Sequence, residues 1–326
     1  MKKILLIYHN EDNDGVCSAA IMLHYLVNEM LYIDKKDVEL FGVNYNMLAA
    51  LPDTWFDEIA EKYGRVIMTD ISFNDPNRML KLKELFGPNF VWVDHHAPII
   101  KESYRLEFDD VNGLRDTKHS AIVNMWRYLY DPLKTEKIPL LFQYLSGWDS
   151  FSWEQYDMSF NDVRYVNKAY TKESQLNVDF YYNNMSKYLV NNRVHLAVFK
   201  EISDMYRIGK RMCDKEDQYY KEMIDNVGDK EWIVDGNRKT VMVVLYGGSS
   251  SLMFQSLQDT EYKNGLIFRR YADGKWGISL YNINVEDTFD CGAYLKEHYN
   301  GGGHKGAAGA GITEEQFVNI LKAKSV

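Results

Sequence analysis

Three apolar runs in the first hundred residues each stop at a histidine or an aspartate. Leu5-Leu6-Ile7-Tyr8 runs into His9-Asn10-Glu11-Asp12-Asn13-Asp14-Gly15, Val66-Ile67-Met68-Thr69 into Asp70, and Phe90-Val91-Trp92-Val93 into Asp94-His95-His96. Short apolar runs of this kind read as strands. The segments between them carry apolar residues at helical spacing, such as Ala19, Ala20, Leu23, Leu26, Val27 and Met30. Strand and helix in alternation predict a parallel sheet with helices on both faces. Open sheets of that type bind ligands beyond the carboxyl ends of their strands. Three strand ends bearing imidazoles and carboxylates therefore predict one metal site.

The spacing predicts strands at 4–8, 38–43, 65–68 and 90–93. Helices are predicted at 16–31, 52–63, 76–86, 120–130 and 140–146, with Asp149 soon after the last. A helical pattern without proline then runs from about 193 to 227. Strands at 232–234, 241–245, 265–268 and 277–281, with helices at 249–257 and 290–298, predict a smaller α/β lobe. The expected fold is α/β: a doubly wound, mainly parallel N-terminal domain over 1–192, a helical connector over 193–228 and a smaller C-terminal domain over 229–326. The active site is expected in the cleft between the two domains. A length of 326 residues suits two domains.

The formal charge is −9 and no block of five or six Lys/Arg occurs. Long nucleic acid usually needs a basic face, so the charge points to a small anionic ligand held by metal ions. Cys17, Cys213 and Cys291 lie far apart and form no CxxC pair, which argues against a disulfide framework or a thiolate zinc site. Two lysines precede the first apolar run, but that run stops at His9, too early for a secretory core segment. No apolar stretch is long enough to span a bilayer, so the chain is expected to be cytoplasmic, without a membrane partner.

Each motif also has a plainer reading. Asp12 or Asn13 could simply cap the helix that follows, and Asp70 or Asp149 could be a turn or cap residue. Asp94-His95-His96 is more specific, because burying adjacent histidines without partners is costly. Near the end stands Gly301-Gly302-Gly303-His304-Lys305-Gly306-Ala307-Ala308-Gly309. Three glycines expose backbone N–H groups, His304 and Lys305 add donors, and the small residues that follow permit close helix packing. This is the logic of a phosphate cradle. The run Gly247-Gly248-Ser249-Ser250-Ser251 reads more simply as a helix-cap loop, and Tyr181-Tyr182 as packing residues.

In order and spacing these motifs resemble the DHH phosphoesterase superfamily, in the group with the DHH-associated C-terminal domain. That group includes RecJ-like nucleases, nano-RNases and cyclic-dinucleotide phosphodiesterases. The resemblance spans nearly the whole chain and implies a site for two divalent metal ions, usually Mn²⁺, with Mg²⁺ or Co²⁺ as substitutes. It implies His9 and Asp12 on one ion, Asp14, His95 and Asp149 on the other, and Asp70 between them. His96 would face the scissile phosphate, Asp94 would orient the histidines, and Gly301, Gly302, Gly303, His304 and Lys305 would bind substrate. Two features depart from the family pattern. The gap between His9 and Asp12 is not the commonest one, so Glu11 competes as a ligand. Tyr281 stands where many relatives carry an arginine. The expected activity is hydrolysis of short oligonucleotides or dinucleotides to nucleoside monophosphates. Alternatives are a phosphohydrolase acting on cyclic dinucleotides, pyrophosphate, polyphosphate or another small phosphate ester, and a nucleotide-binding sensor without turnover. A homodimer is left open.

Overall fold

Strand β1 (Lys3–His9) shows how the first sheet is built. Its side chains alternate across the pleat. Ile4 and Leu6 enter one buried cluster, and Leu5 and Ile7 enter another on the opposite face. The same division holds for β3 (Tyr63–Thr69), where Ile67 opposes Val66 and Met68, and for β4 (Phe90–Val93), where Val91 and Val93 oppose Phe90 and Trp92. With β2 (Val38–Val43) these strands form a sheet of order β2-β1-β3-β4, parallel throughout. The computed structural model describes the chain except residues 1, 31, 98, 102–107, 132–136, 190–194, 227–231, 237, 246–250, 259, 272–273, 285–286 and 325, and except the side chains of 109, 195, 244, 245, 251 and 304.

One face of the sheet is covered by α1 (Asn13–His24) with α5 (Ala121–Tyr130) and α8 (Val178–Leu189), and α6 (Leu140–Asp149) and α7 (Phe160–Ser174) extend that layer. Every residue of α1 is buried, as expected for a helix that is apolar or small-sided all round. The other face holds α2 (Tyr45–Ala49), α3 (Thr54–Lys62) and α4 (Pro76–Phe86). Burying a large side chain such as Phe90 or Trp92 contributes about 1.5–3 kcal/mol. The strand order places a switch between β1 and β3: the chain leaves β1 for β2 on one side and returns to β3 on the other. Carboxyl-end loops diverge there and leave room for a ligand.

The second unit holds a six-stranded sheet of order β5-β6-β7-β8-β10-β9. Its strands are β5 (Trp232–Val234), β6 (Arg238–Leu245), β7 (Asn264–Arg270), β8 (Trp276–Asn282), β9 (Gly302–His304) and β10 (Ala307–Ile312). Only β6 and β7 pair in parallel. Helices α10 (Cys291–Tyr299) and α11 (Glu314–Ala323) cover one face, where Phe317 stacks on Trp276 with ring centroids 3.7 Å apart. Val241, Val243 and Ile267 on the other face pack against Met253, Phe254 and Ile224. The compact units are Met1–Cys213 and Asp214–Val326, divided inside the 31-residue helix α9 (His195–Asp225). Among the described residues, no helix is long and apolar enough to cross a membrane.

Two local expectations are corrected. The helix predicted at 249–257 is a 3₁₀ helix over Ser251–Leu257, and residues 247–250 of the Gly/Ser run lie outside the described residues. The glycine-rich tail is not a free loop. It is the hairpin β9–β10 at the sheet edge, and α10 packs on it. Small residues are needed there because a Cβ on Gly292 at the start of α10 would lie 2.7 Å from the Gly303 carbonyl oxygen.

Candidate metal centre

His9 is the last residue of β1, and the turn after it closes tightly. A Cβ on Gly15 would sit 2.1 Å from the His9 carbonyl oxygen, so only glycine fits. Asp12 caps α1 by accepting the Gly15 amide at 3.0 Å. The capping role and the proposed ligand role therefore coexist, because the other Asp12 oxygen lies 2.9 Å from His9 Nδ1. Asp14 enters α1 and reaches the start of α5. Its two oxygens accept the Ala121 and Ile122 amides at 2.7 and 2.9 Å. Nothing in the local sequence signals that long-range cap.

Asp70 follows β3 in the left-handed conformation, φ 59°, and its amide donates to the Val93 carbonyl at 3.0 Å. An aspartate tolerates that backbone better than most residues. Asp94 is fully buried beyond β4. It accepts the Trp92 indole N–H at 3.0 Å, the His95 amide at 2.7 Å and the His96 amide at 3.2 Å, and it holds His96 Nδ1 at 2.7 Å. Asp149 is the final residue of α6 rather than a residue beyond it.

These loops meet. His95 Nε2 lies 3.2 Å from Asp149 Oδ2, 3.3 Å from Asp70 Oδ1 and 3.6 Å from Asp14 Oδ2. The second Asp70 oxygen lies 3.6 Å from His9 Nδ1. Three trios can each offer ligand atoms within 4.8 Å of one another: His9, Asp12 and Asp70; Asp14, His95 and Asp149; Asp70, His95 and His96. Asp70 links the first and third of these, with one oxygen toward His9 and the other toward His95. His9 Nδ1 and Asp70 Oδ1 are buried and have only these close ion-pair contacts, none with regular hydrogen-bond geometry. Buried polar atoms without a regular hydrogen bond are rare in native interiors, and a cation would satisfy both. The donor set is oxygen and imidazole without thiolate, which fits Mn²⁺, Mg²⁺ or Co²⁺. Glu11 is largely exposed. Its carboxylate accepts from the Asn44 carboxamide at 2.8 Å and otherwise lies 3.8 Å from His9 Nε2.

The electrostatics agree with a site built for cations. Burial, and then Asp14 and Asp12, push the Asp70 carboxyl well above the usual carboxylate range. Burial with Asp14 and Asp70 does the same to Asp149. Burial pulls His9 down, but Asp12 and Asp70 outweigh it and raise the imidazole to about 10. Burial also opposes His95 and His96, yet surrounding carboxylates raise both. Asp94 is lowered despite its burial, chiefly by its bond to His96. Clustered acids hold protons on one another and on the imidazoles; divalent ions would replace those protons.

Several supporting residues escaped the sequence reading. Asn13, between two candidate ligands, is buried and fully bonded. Its amide donates to Asn167 Oδ1 and Thr171 Oγ1, each at 2.7 Å, and its carbonyl accepts from the Tyr181 hydroxyl at 2.7 Å. The Tyr45 ring stands between His9 and His96, with centroids 5.8 and 6.0 Å away. Cys17 is buried, and burial pushes its thiol well up, which removes it as a nucleophile. Gly301, Gly302, Gly303, His304 and Lys305 belong to the second unit. Gly302 and Gly303 pair with Gly309 and Ala308, and the Lys305 carbonyl in the turn accepts the Cys291 amide at 2.9 Å. Strand β9 is an edge strand, so alternate N–H groups stay outside the ladder. The His304 side chain lies outside the described residues. Tyr281 lies on β8 opposite Ala307.

Residues 247–324 match the DHHA1 domain. No curated protein matches the chain by sequence. Among solved structures it is similar to the pGpG-specific phosphodiesterase PggH from Vibrio cholerae, at 15% identity and a TM-score of 0.51, over 99% of this chain and 97% of that one. It is also similar to RecJ from Thermus thermophilus in complex with Mn²⁺, at 14% identity and a TM-score of 0.52, over 99% of this chain but 51% of that one. The chain thus spans about half the length of RecJ. At these identities the likeness is one of fold. The last quarter of the chain thus carries a DHHA1 domain, and the fold along its length is similar to that of these two proteins.

Proposed function

We propose that this protein is a metal-dependent phosphodiesterase that hydrolyses linear dinucleotides or short oligonucleotides to nucleoside monophosphates. The observation that carries the reading is Asp70, which turns its two oxygens to two groups of ligands while its Oδ1 and His9 Nδ1 make no regular hydrogen bond. His9 and Asp12 would hold one ion, Asp14, His95 and Asp149 the other, and Asp70 would serve both. Bound divalent ions lower the pKa of a coordinated water toward neutrality and offset negative charge on a phosphate. Mn²⁺ suits the ligand set.

The remaining steps use the chain's own groups. Asp94 fixes His96 through Nδ1 at 2.7 Å, which leaves Nε2 on a side chain 35% exposed. That nitrogen would donate a proton or hydrogen bond to a phosphate oxygen. Asp94 acts by orientation, as carboxylates behind catalytic imidazoles do. In the second unit, N–H groups of the edge strand at Gly302 and Gly303, with Lys305 and His304, would grip a further phosphate, while the Gly301 amide, already donated to the Leu295 carbonyl at 3.0 Å, would hold the segment in place. Similarity in fold to a pGpG-specific phosphodiesterase over nearly the full length of both chains favours a dinucleotide over a long strand, as does the net charge of −9. Three buried free cysteines suit a reducing compartment, and we place the protein in the cytoplasm.

The test is product analysis by mass spectrometry with Mn²⁺ and a panel of linear dinucleotides, cyclic dinucleotides, three- to five-nucleotide oligomers and pyrophosphate. Conversion of a linear dinucleotide to two mononucleotides is expected. Turnover restricted to pyrophosphate or cyclic dinucleotides would reassign the substrate, and inertness toward the whole panel would end the reading.

A further inference from the structure

Beside the candidate metal centre, the loop after β3 and the helix α2 enclose a cavity of about 310 Å³. Tyr45 forms the shared wall: its ring packs against His9 and His96, and it lines this cavity. We propose that the cavity is a nucleobase pocket, receiving the base of the nucleotide whose phosphate lies at the metal centre. The proposal rests on the phosphodiesterase reading for its orientation, but its chemistry comes from the lining.

Four observations select a base. First, the walls are flat and aromatic. Tyr45 and Phe73 both line the cavity, and aromatic faces stack bases of any sequence. Second, Ser72 is 1% exposed, lines the cavity, and its Oγ has no hydrogen-bond partner. A buried orphan hydroxyl is costly, and a ligand edge would satisfy it. Third, Asn74 adds a carboxamide free of any hydrogen bond among the described residues, able to donate and accept. Asp75 lines the same cavity, and only its Oδ1 is used, by the Asn77 amide and carboxamide. The remaining oxygen can accept from an amino or imino N–H.

Fourth, the cavity is poorly suited to phosphate. Among the described residues its cationic lining side chain is Arg78, which donates through Nη1 to the Leu48 carbonyl and through Nη2 to the Leu51 carbonyl, at 3.3 and 2.6 Å, and keeps only its buried Nε–H without a partner. Its guanidinium also lies over the Phe73 and Phe56 rings, 4.6 and 5.1 Å from their centroids. Arg78 is thus a brace that ties α2 to α4, and Asp75 adds negative charge. A neutral, planar ligand with mixed donor and acceptor edges fits that lining better than a phosphate, for which a single N–H of Arg78 remains beside the Asp75 carboxylate.

The experiment is equilibrium binding by calorimetry with AMP, GMP and ribose 5-phosphate, on the intact protein and on a Ser72→Ala/Asn74→Ala variant. Neither residue is a candidate metal ligand. Removing an unpartnered hydroxyl and an exposed amide leaves the core packing in place, which a melting curve checks. The intact protein should bind AMP or GMP at least tenfold more tightly than ribose 5-phosphate. The variant should lose most of that preference while its affinity for ribose 5-phosphate stays within twofold. Equal binding of nucleotide and ribose 5-phosphate by the intact protein overturns the pocket, as does an unchanged preference in the folded variant. Turnover of a dinucleotide with Mn²⁺ is scored separately. A base preference without turnover sinks the phosphodiesterase reading and keeps the pocket; turnover without a base preference does the reverse.

Discussion

The two sheets of this chain place their polar chemistry in opposite ways. In residues 1–213 the functional candidates are buried ionisable side chains: Asp14, Asp70 and Asp94 are each at most 2% exposed. In residues 214–326 the candidate segment is a backbone, the glycine-rich hairpin at the sheet edge. Topology accounts for the contrast. Parallel strands deliver all their carboxyl ends to one edge, so loops after β1, β3 and β4 converge. A mostly antiparallel sheet alternates its ends, and ligand contacts fall more readily to an edge strand. The first unit accumulates unfavourable burial of charge, and the second carries a steric demand for residues without side chains.

The sharpest way to break the comparison is Asp70→Asn. Asparagine tolerates the left-handed backbone at φ 59°, so the fold should survive while the shared charge is lost. Activity with Mn²⁺ should fall by about 10³-fold, the loss of several kcal/mol of metal-assisted stabilisation, and chelation of the intact protein should match it. Retained turnover in a folded D70N protein would remove buried charge from the account. Next comes Asn13→Ala. It strips the anchor between Asp12 and Asp14 and removes the acceptor that the Tyr181 hydroxyl uses at 2.7 Å. Mn²⁺ affinity should drop about 10–100-fold, and isothermal titration on a folded sample would report it.

In the second unit the matching perturbation is steric. Gly303 has φ 146°, and a Cβ there would meet the Ala307 carbonyl oxygen and Ala308 Cα, both at 2.6 Å. Gly303→Ala should destabilise that unit by about 1–3 kcal/mol, read as earlier urea unfolding of 214–326. Mn²⁺ affinity should be unchanged; a large loss would mean that the two kinds of chemistry are not separable.

The smallest effect tests pH. His24 is buried between Tyr130 and Ser186. Burial lowers its pKa, against a smaller opposing pull from Glu29. The unfolded chain then takes up a proton near its ordinary value of about 6.5 that the folded chain refuses. Stability from this residue should fall as pH drops below that value and level off below the folded pKa, with a slope of at most about 1.4 kcal/mol per pH unit. His24→Gln should flatten that part of the curve in thermal melts between pH 5 and 7. A slope unchanged by the substitution would assign it to other groups.

The readable parts of the chain are those whose signal is local. Helix α4 and strand β4 occupy the predicted residues, 76–86 and 90–93, because proline, aspartate cap and unbroken apolar runs mark their ends. Helices α7 and α8 are not legible in the same way. Their buried faces use Arg164, Tyr165, Tyr170, Tyr181 and Tyr188, residues whose burial depends on a partner: Tyr170 and Tyr188, for example, share Glu201. The tail reads as a loop because three glycines signal a turn as strongly as they signal close backbone approach. Asp149 falls outside its predicted helix, since the last turn of α6 carries no stop signal before Ser150.

By itself the sequence determined which strand ends carry imidazole and carboxylate, because hydrophobic periodicity is set by neighbours two to four positions away. Only the tertiary structure decided that Asp70 faces His9 with one oxygen and His95 with the other, that Asp14 caps α5 from the start of α1, and that Ser72 is left without a partner beside Tyr45. Those relations join residues tens of positions apart. They depend on strand order and register, which arise from packing the whole sheet and which no local pattern encodes.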